Sequence, residues 1–370
     1  MKNLYVILFS ALTVVNAKAQ NKFNLLVGTY TNKCQSNGIY VYEFNADSGE
    51  FKLKNSSENV ISPSYLSVSA NNKFVYAVNE NGTQSAVSAF GFDAVSGKLN
   101  FLNTNDALGA DPCHLINDDK NVIVANYSGG SIVVFKKNAD GSISTVQQLI
   151  QHEGKGTNAA RQEKAHVHQV VFSPDKKFVL SNDLGLDKIF IYKYNPDAKS
   201  EILTLKGSVD VKAGSGPRHL TFSKDGKFVY LVQELDGTLT TLSYDKTGNL
   251  KIIAETSILP KGFTGGTGAA AIKISPDGQF LYLTDRVDAN AISVYKILKN
   301  GSLELVEQQS TLGKGPRDFA IDPTGNFLLV GHQYTNDIII FKRDKTTGKL
   351  TDTGKRIELC SPVGLVFTKI

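Results

Sequence analysis

Arginine and glutamate side chains stand at the open ends of a predicted β-hairpin. Residues 214–234 read GSGPRHLTFSKDGKFVYLVQE, in which a Lys-Asp-Gly-Lys turn separates two alternating apolar runs, the pattern of a hairpin. Arg218 and Glu234 lie at its outer ends, where a hairpin needs no charge. Arginine binds carboxylate or phosphate and can stabilise an oxyanion, and glutamate can deprotonate water. These ends therefore carry residues suited to anion binding and proton transfer.

The same hairpin recurs along the chain, which indicates a repeat protein. After each hairpin come a third apolar run, such as IFIYKY at 189–194, a turn that usually carries glycine, and a fourth short run. Four short antiparallel strands every ~50 residues are typical of a β-propeller blade. The residues that open the second run of each repeat, at intervals of 47 to 57 residues, are Phe74, Asn121, Phe178, Phe228, Phe280 and Phe327.

Six repeats are complete, and a seventh is divided between the two ends of the chain. LLVGTY at 25–30 and IYVYEF at 39–44 match second and third strands, and SPVGLVF at 361–367 matches a first strand. Pairing of the termini would complete this blade and remove its exposed edges. The sequence therefore predicts an all-β, seven-bladed β-propeller with four antiparallel strands per blade, one blade being closed by N- and C-terminal strands.

The repeat also maps polar residues onto one face of the propeller. The first strand of a blade lies nearest the central channel, and its start lies beside the end of the antiparallel second strand. Residues at these registers are mostly polar and differ between blades, as a binding site on a symmetric scaffold requires. The candidate site residues are Glu80, Asn126, His166, His168, Asp183, Arg218, His219, Glu234, Arg286 and Gln333.

A structural role is the alternative for several of these residues. Arg218 and Glu234 could form an ion pair within their blade. Arg317, which repeats the pattern of Arg218, could form a salt bridge at a blade edge. Glu80 and Asp183 could accept hydrogen bonds from neighbouring backbone amides.

His166 and His168 suggest a second kind of site. They are two residues apart on a predicted strand, so their side chains share a face. Two such histidines can be half of a metal site, but no third ligand lies nearby in sequence, and we predict no metal and no other cofactor. They follow the insertion HEGKGTNAARQEKAHVH at 152–168, which we expect to cap the channel mouth.

Composition and the N-terminus restrict partners and location. The formal net charge is +5, with basic residues spread along 370 residues, so we predict no nucleic-acid binding. A basic start, an apolar run at 4–15 and Ala17-Lys18-Ala19 match a secretory signal peptide at 1–19, followed by a single domain at 20–370. The apolar run is too short to span a membrane, so no membrane span is predicted. The protein would be exported to the periplasm or outside the cell, or cytoplasmic if the signal is not used.

The three cysteines do not form an evident framework. Cys34, Cys113 and Cys360 are odd in number, which excludes full intrachain pairing, and none has C-x-x-C spacing. We therefore expect buried or free thiols rather than metal ligands.

The remaining motifs narrow the chemistry. The chain has no G-x-S-x-G elbow and no evident Ser-His-Asp arrangement, and the glycine-rich loop PKGFTGGTGAA at 260–270 has no phosphate-binding fingerprint. Arginine, histidine and glutamate at one mouth suit the opening or closing of a lactone on an anionic sugar acid.

A series of motifs carries a family resemblance over residues 23–370. PSYLSVS (63–69), HVHQVVFSPD (166–175), GPRHLTF (216–222) and GPRDFAIDPTGNFLLV (315–330) occur in order. The chain resembles the seven-bladed propeller lactonases, which include bacterial 6-phosphogluconolactonase and the fungal 3-carboxy-cis,cis-muconate lactonizing enzyme.

The resemblance implies specific roles for the site. Its catalytic groups fall on His168 (or His166), Arg218, Glu234 and Arg286, and the other candidates would bind substrate. The implied function is hydrolysis of a phosphorylated or carboxylated sugar lactone, 6-phospho-glucono-1,5-lactone foremost. Two alternatives are a muconate-type cycloisomerase and a non-catalytic propeller that binds carbohydrate or protein, in which Tyr30 and Tyr127 would stack on sugars.

Overall fold

Seven antiparallel sheets of four strands form a closed ring in the computed structural model, which describes residues 21–58 and 60–370. The first strands of successive sheets contact one another around the whole ring. The predicted all-β, seven-bladed propeller is therefore confirmed. The predicted signal peptide, residues 1–19, lies outside the described residues. Among those residues, none forms a helix with the length and hydropathy that a bilayer crossing needs.

Blade 1 contains both ends of the described chain, with the order β28-β1-β2-β3 from the channel outward, and each later blade takes the next four strands in sequence. Within the described part of the chain, one 3-10 turn lies at Gly82–Gln84. The strands are β1 (Lys22–Thr29), β2 (Ile39–Asn45) and β3 (Phe51–Ser56); β4 (Leu66–Val68), β5 (Phe74–Asn79), β6 (Ala86–Asp93) and β7 (Lys98–Asp106); β8 (Pro112–Asn117), β9 (Asn121–Asn126), β10 (Ser131–Lys137) and β11 (Ile143–Gln151); β12 (Val167–Phe172), β13 (Phe178–Asp183), β14 (Lys188–Tyr194) and β15 (Leu203–Asp210); β16 (Pro217–Phe222), β17 (Phe228–Gln233), β18 (Thr238–Tyr244) and β19 (Leu250–Ser257); β20 (Ala269–Ile274), β21 (Phe280–Asp285), β22 (Ala291–Ile297) and β23 (Leu303–Ser310); β24 (Pro316–Ile321), β25 (Phe327–His332), β26 (Asp337–Arg343), β27 (Leu350–Glu358) and β28 (Pro362–Lys369).

Blade 1 closes the ring as the divided repeat predicts. β28 pairs with β1 so that Val366 lies opposite Leu26, and β1 pairs with β2 so that Leu26 lies opposite Val41. Leu26 and Val41 are fully buried. The C-terminal strand thus supplies the first strand that the N-terminal half of the blade lacks.

The apolar core lies between the blades. Seven clusters of buried apolar side chains occupy the seven interfaces between neighbouring blades. Second strands are the most buried: all six residues of β9 are buried, whereas β15 at an outer edge is largely exposed. Because a strand alternates its side chains between two faces, a second strand packs against both neighbouring blades. The packing of the ring therefore leaves the polar ends of the first strands free for other uses.

Glycines in the turns before the fourth strands pack against the preceding blade in six of the seven blades. Gly141 has φ +87° and lies against the ring of Phe74 in blade 2, which a Cβ at residue 141 would approach to 2.1 Å. Tyr76 donates a hydrogen bond to the Gly141 carbonyl at 2.9 Å. The repeated phenylalanine and glycine of the sequence are thus two halves of one contact between blades.

Cys34 and Cys360 form a disulfide across 326 residues, and Cys113 is a buried free thiol. The expectation of thiols is correct for Cys113 and wrong for the other two. Distance in sequence hid the pair, because the closure of blade 1 brings both ends of the chain together. The bond joins the loop after β1 to the turn before β28.

Replacing both paired cysteines by serine is expected to destabilise the propeller by about 2–4 kcal/mol, since the bond restricts the unfolded chain. Urea unfolding with and without dithiothreitol measures this. The reductant should lower the midpoint of the wild type and leave the double variant unchanged. A wild-type midpoint that does not respond to complete reduction would contradict this expectation.

Candidate active site

A β-bulge at the same register of the first strand in six of the seven blades sets the channel residues apart from the sheet. In blade 5, Pro217 pairs with Gln233 and His219 pairs with Val232, so Arg218 between them has no partner. A bulge redirects its extra residue away from the regular alternation of the strand. The pairing is interrupted at the same register in five other blades, at Cys113, His168, Ala270, Arg317 and Val363.

The Glu234 carboxylate, directly after β17, is the centre of the polar cluster. Arg218 donates from Nε to Oε2 at 3.0 Å, and Arg286 Nη2 lies 3.1 Å from the same oxygen. Arg161 donates from Nη2 to Oε1 at 2.7 Å. The side chains of Arg218 and Glu234 are only 2% and 8% exposed, so three guanidinium groups surround one buried carboxylate.

Electrostatics keep this cluster charged. Burial raises the pKa of Glu234, but the fields of Arg286 and Arg218 outweigh burial and hold that pKa well below its usual range. Burial and the nearby Arg286 lower the pKa of Arg218 to about 9, which leaves it cationic at neutral pH. Glu234 is therefore a stable anion and a weak base.

His168 lies beside the carboxylate as a neutral imidazole. Its Nε2 is 3.7 Å from Glu234 Oε2, and its Nδ1 is 3.6 Å from Cys113 Sγ. Burial and then Arg218 lower the pKa of His168 well below its ordinary value. At neutral pH the imidazole therefore has a ring nitrogen that can accept a proton. The neighbouring Glu234 carboxylate can stabilise the imidazolium that would form.

The insertion covers this centre, as the sequence predicts. The loop at 152–166 crosses from β11 to β12, and Arg161 at its tip also donates to the Tyr127 hydroxyl at 3.1 Å. Gln162 anchors the loop by donating to the Leu184 carbonyl at 2.8 Å. The Arg161 side chain is 44% exposed, so this part of the cover faces solvent.

His166 and His168 both contact the Tyr127 ring, with centroid distances of 4.6 and 5.3 Å. His166 Nδ1 is 3.1 Å from the Tyr127 carbonyl oxygen, and its Nε2 is 3.2 Å from Glu163 Oε1. The two histidines therefore share a face but have different partners. Among residues 21–58 and 60–370, no group of three or more histidine, cysteine or acidic side chains is arranged to hold a metal ion.

A cavity of about 630 Å³ opens beside the cluster on the same face. Arg286 borders the cavity and contacts Glu234, so it separates the open space from the buried centre. The candidates Glu80 and Gln333 line the cavity, together with Tyr30 and Arg317. Its volume falls within the range of small-molecule sites, about 300–1,000 Å³.

Comparison with known proteins agrees with this geometry. The family described as "Lactonase, 7-bladed beta-propeller" matches residues 24–367. The chain belongs to the seven-bladed β-propeller lactonase family.

Relatives of this lactonase-family chain match it nearly end to end. A 6-phosphogluconolactonase of Bacillus subtilis is 36% identical over 345 residues, which cover 92% of this chain and 97% of the relative. The crystal structure of a Bacteroides fragilis protein superimposes with a TM-score of 0.90 at 42% identity, covering 97% of this chain and 100% of that chain. The structure of the periplasmic gluconolactonase of Pseudomonas aeruginosa gives 0.89 at 35% identity, covering 94% and 99%.

Three histidines of this lactonase-family propeller lie next to one another beside the cluster. His219 lies 5.2 Å from His168 and 5.3 Å from His114 between ring centroids, and Arg218 Nη1 lies 3.3 Å from His219 Nδ1. Burial and Arg218 hold the pKa of His219 well below its ordinary value. His219 thus packs among buried rings next to Arg218 and does not line the cavity, and its role in substrate binding stays a prediction.

The structure does not bring Asn126 and Asp183 to the mouth. Asn126 is fully buried and donates to the Ala107 carbonyl at 3.0 Å. Asp183 is also fully buried; it contacts His152 Nδ1 at 2.7 Å and accepts from the His166 amide at 2.8 Å. Each ends a second strand, one residue before the mouth register, and strand alternation turns it into the blade. The structural alternative holds for Asp183.

Sequence reasoning missed Arg161 as a partner of Glu234 because the insertion has no counterpart in other repeats. It also missed the bulges, although a signal was present. Proline directly precedes the channel residue in five blades, at Pro63, Pro112, Pro217, Pro316 and Pro362. Proline lacks the donor that a ladder needs and is found at bulges and strand starts.

Proposed function

We propose that this chain is a lactonase that hydrolyses a sugar-acid lactone of the 6-phospho-glucono-1,5-lactone type to the open acid. The observation that carries this proposal is the buried Glu234 carboxylate, bound by three arginines beside neutral His168. The family and the names of the Bacillus subtilis and Pseudomonas aeruginosa relatives support the same reaction class.

In the proposed reaction His168 takes a proton from water while the water oxygen attacks the lactone carbonyl carbon. A neutral imidazole can accept that proton, and Glu234 Oε2 at 3.7 Å stabilises the imidazolium. Glu234 itself is too weak a base, because the arginines hold its pKa so low. We therefore assign the base to His168 and make Glu234 its positioning residue.

Arg286 completes the site on the substrate side. It lies between the cavity and Glu234, so it can donate to the carbonyl oxygen and stabilise the negative charge that develops there. As the tetrahedral intermediate collapses, the ring C–O bond breaks and the ring oxygen takes the proton from His168. The elements of one water are thereby added across the lactone bond.

The reaction requires Arg161 to move, because it covers Glu234 from the solvent side. The Arg161 side chain is 44% exposed, and Glu234 keeps its contacts with Arg218 and Arg286 when Arg161 leaves, so substrate binding can displace Arg161. We assign the 152–166 loop the role of a lid that exchanges Arg161 for substrate at the mouth.

We also assign this reaction to a compartment outside the cytoplasm. The sequence of residues 1–19 has the pattern of a signal peptide. The Cys34–Cys360 disulfide suits an oxidising environment, and the Pseudomonas aeruginosa relative is named as periplasmic.

A lactone panel tests the proposed function. Purified protein is expected to open 6-phospho-glucono-1,5-lactone or another sugar-acid lactone at least about 100-fold faster than buffer. A chelator should not change the rate, since side chains supply the proposed base and donors. Rates equal to buffer for every lactone would overturn the proposal, and consumption of 3-carboxymuconate, followed by ultraviolet absorbance, would favour the cycloisomerase instead.

A further inference from the structure

The two central arginines are already engaged with Glu234 and with backbone carbonyl oxygens. Arg218 donates to Glu234 and to the Ala270 carbonyl. Arg286 donates from Nε to the Gly268 carbonyl at 2.9 Å and contacts Glu234 through Nη2. A phosphate or carboxylate bound by both nitrogens of either guanidinium fork would compete with Glu234, whereas Arg286 Nη1 stays available for the lactone carbonyl oxygen. An anionic group away from the lactone carbonyl therefore needs another cation of the cavity.

Arg317 is a cavity arginine whose guanidinium donates no hydrogen bond to any described residue. The nearest carboxylate oxygen, Glu80 Oε2, lies 3.9 Å from its Nη2, beyond hydrogen-bond distance. Its Cζ lies 5.3 Å from the centroid of the Tyr30 ring, a cation–π contact. Tyr30 in turn donates to Glu80 at 3.1 Å. These neighbours orient the guanidinium and leave its donors available.

Lys33 is a second cation at the same cavity. It lines the cavity, is exposed, and forms no ion pair with another described residue. The next residue, Cys34, is tied to Cys360, which fixes the loop that carries the lysine. One cavity is thus bordered by Arg286 toward the reaction centre and by Arg317 and Lys33 elsewhere.

We propose that Arg317 and Lys33 form a subsite for an anionic group that the lactone carries away from its carbonyl, either a phosphate ester or a carboxylate. This inference rests on the proposed lactonase function. The guanidinium fork suits two oxygens of one anion, and the lysine adds a mobile point charge. Glu80 and Asp111 also line the cavity. The negative charge of Glu80 repels a bound anion and therefore weakens its binding.

The test compares three lactones: 6-phospho-glucono-1,5-lactone, a monolactone of glucaric acid, and neutral glucono-1,5-lactone. The readout is kcat/KM for each anionic lactone divided by kcat/KM for the neutral one. We expect Arg317→Gln to lower this ratio at least tenfold and Lys33→Gln at least threefold. Glu80→Gln should raise it. The anionic lactone whose ratio falls identifies the group as phosphate or carboxylate.

Lys299→Gln is the matched control, since Lys299 is an exposed lysine in a turn and does not line the cavity. It removes the same charge and should leave the ratio unchanged. An equal loss on all three lactones in Arg317→Gln, or no loss in either cavity variant, would overturn the subsite. Lys33→Gln keeps the test decisive if Arg317→Gln fails to fold.

A binding measurement separates this subsite from the proposed function. Calorimetry on the wild type should show 6-phosphogluconate or glucarate binding at least tenfold tighter than gluconate, with the difference lost in Arg317→Gln. This result would support the subsite even if no lactone were hydrolysed. Equal affinity for all three acids would refute the subsite and leave the hydrolysis of neutral lactones standing.

Discussion

Replacing His168 by alanine is expected to lower kcat/KM for lactone hydrolysis by about 10²–10⁴-fold, the usual contribution of general base catalysis. The fold should survive, because the imidazole has only long polar contacts, 3.6 Å to Cys113 Sγ and 3.7 Å to Glu234 Oε2. Steady-state kinetics and a melting curve of the same preparation measure the two effects separately.

His114→Gln is the matched control for that variant. His114 is a buried imidazole in the same channel, and no hydrogen-bond partner contacts its Nδ1 among the described residues. Burial lowers its pKa to about 3, so it is neutral like His168. Loss of activity confined to His168→Ala identifies a chemical role, whereas equal losses would indicate that the channel only needs to be packed.

The pH dependence of the hydrolysis rate also tests the assignment of His168 as the general base. Neutral His168 is the active form, and its pKa lies well below the ordinary value because of burial and Arg218. The rate should therefore be flat through the range near pH 6.5 where an exposed histidine titrates and fall only in more acidic solution. An inflection near pH 6.5 that persists in His168→Ala would contradict this role.

Glu234→Gln is expected to destabilise the protein by about 3–5 kcal/mol, because removing the negative partner leaves Arg218 and its neighbours as uncompensated buried cations. Urea unfolding near neutral pH measures the loss. The matched control is Glu80→Gln, at the same register of blade 2, where one arginine lies 3.9 Å away. We expect that control to lose less than about 1 kcal/mol.

Acid titration of stability gives an independent check on Glu234. Its pKa is depressed in the folded state, so its contribution is fully present above the unfolded value of about 4.3 and is lost as the pH falls through the lower folded value. The wild type should therefore lose stability in acid more steeply than Glu234→Gln. Parallel curves, or a loss below about 1 kcal/mol at neutral pH, would show that the arginines do not depend on this carboxylate.

The fold was predictable from the sequence because its information is local and repeated. The phenylalanine of the second strand and the glycine of the later turn recur in most blades, and Phe74 and Gly141 meet as one contact. The register alone also placed Arg218 and Glu234 side by side. Their 3.0 Å contact follows from antiparallel pairing plus one unpaired residue.

The features that the sequence did not predict are not determined by the repeated pattern of the blades. Arg161 reaches Glu234 from an insertion that has no register, and Cys34 meets Cys360 only once the ring is closed. Asn126 follows the alignment faithfully but faces into its blade, because adjacent residues of a strand point in opposite directions. Whether an arginine such as Arg317 has free hydrogen-bond donors depends on interatomic distances, which a sequence does not contain.

The bulges have a consequence for how such a protein evolves. The residue at each bulge has no backbone partner in the neighbouring strand, so replacing its side chain does not alter the strand register. Cysteine, histidine, arginine, alanine and valine all occupy this position in different blades of one chain. Mutations there can therefore change the chemistry of the channel without changing how the strands pair, which makes the ring of bulges a place where natural selection can fit the propeller to a new substrate.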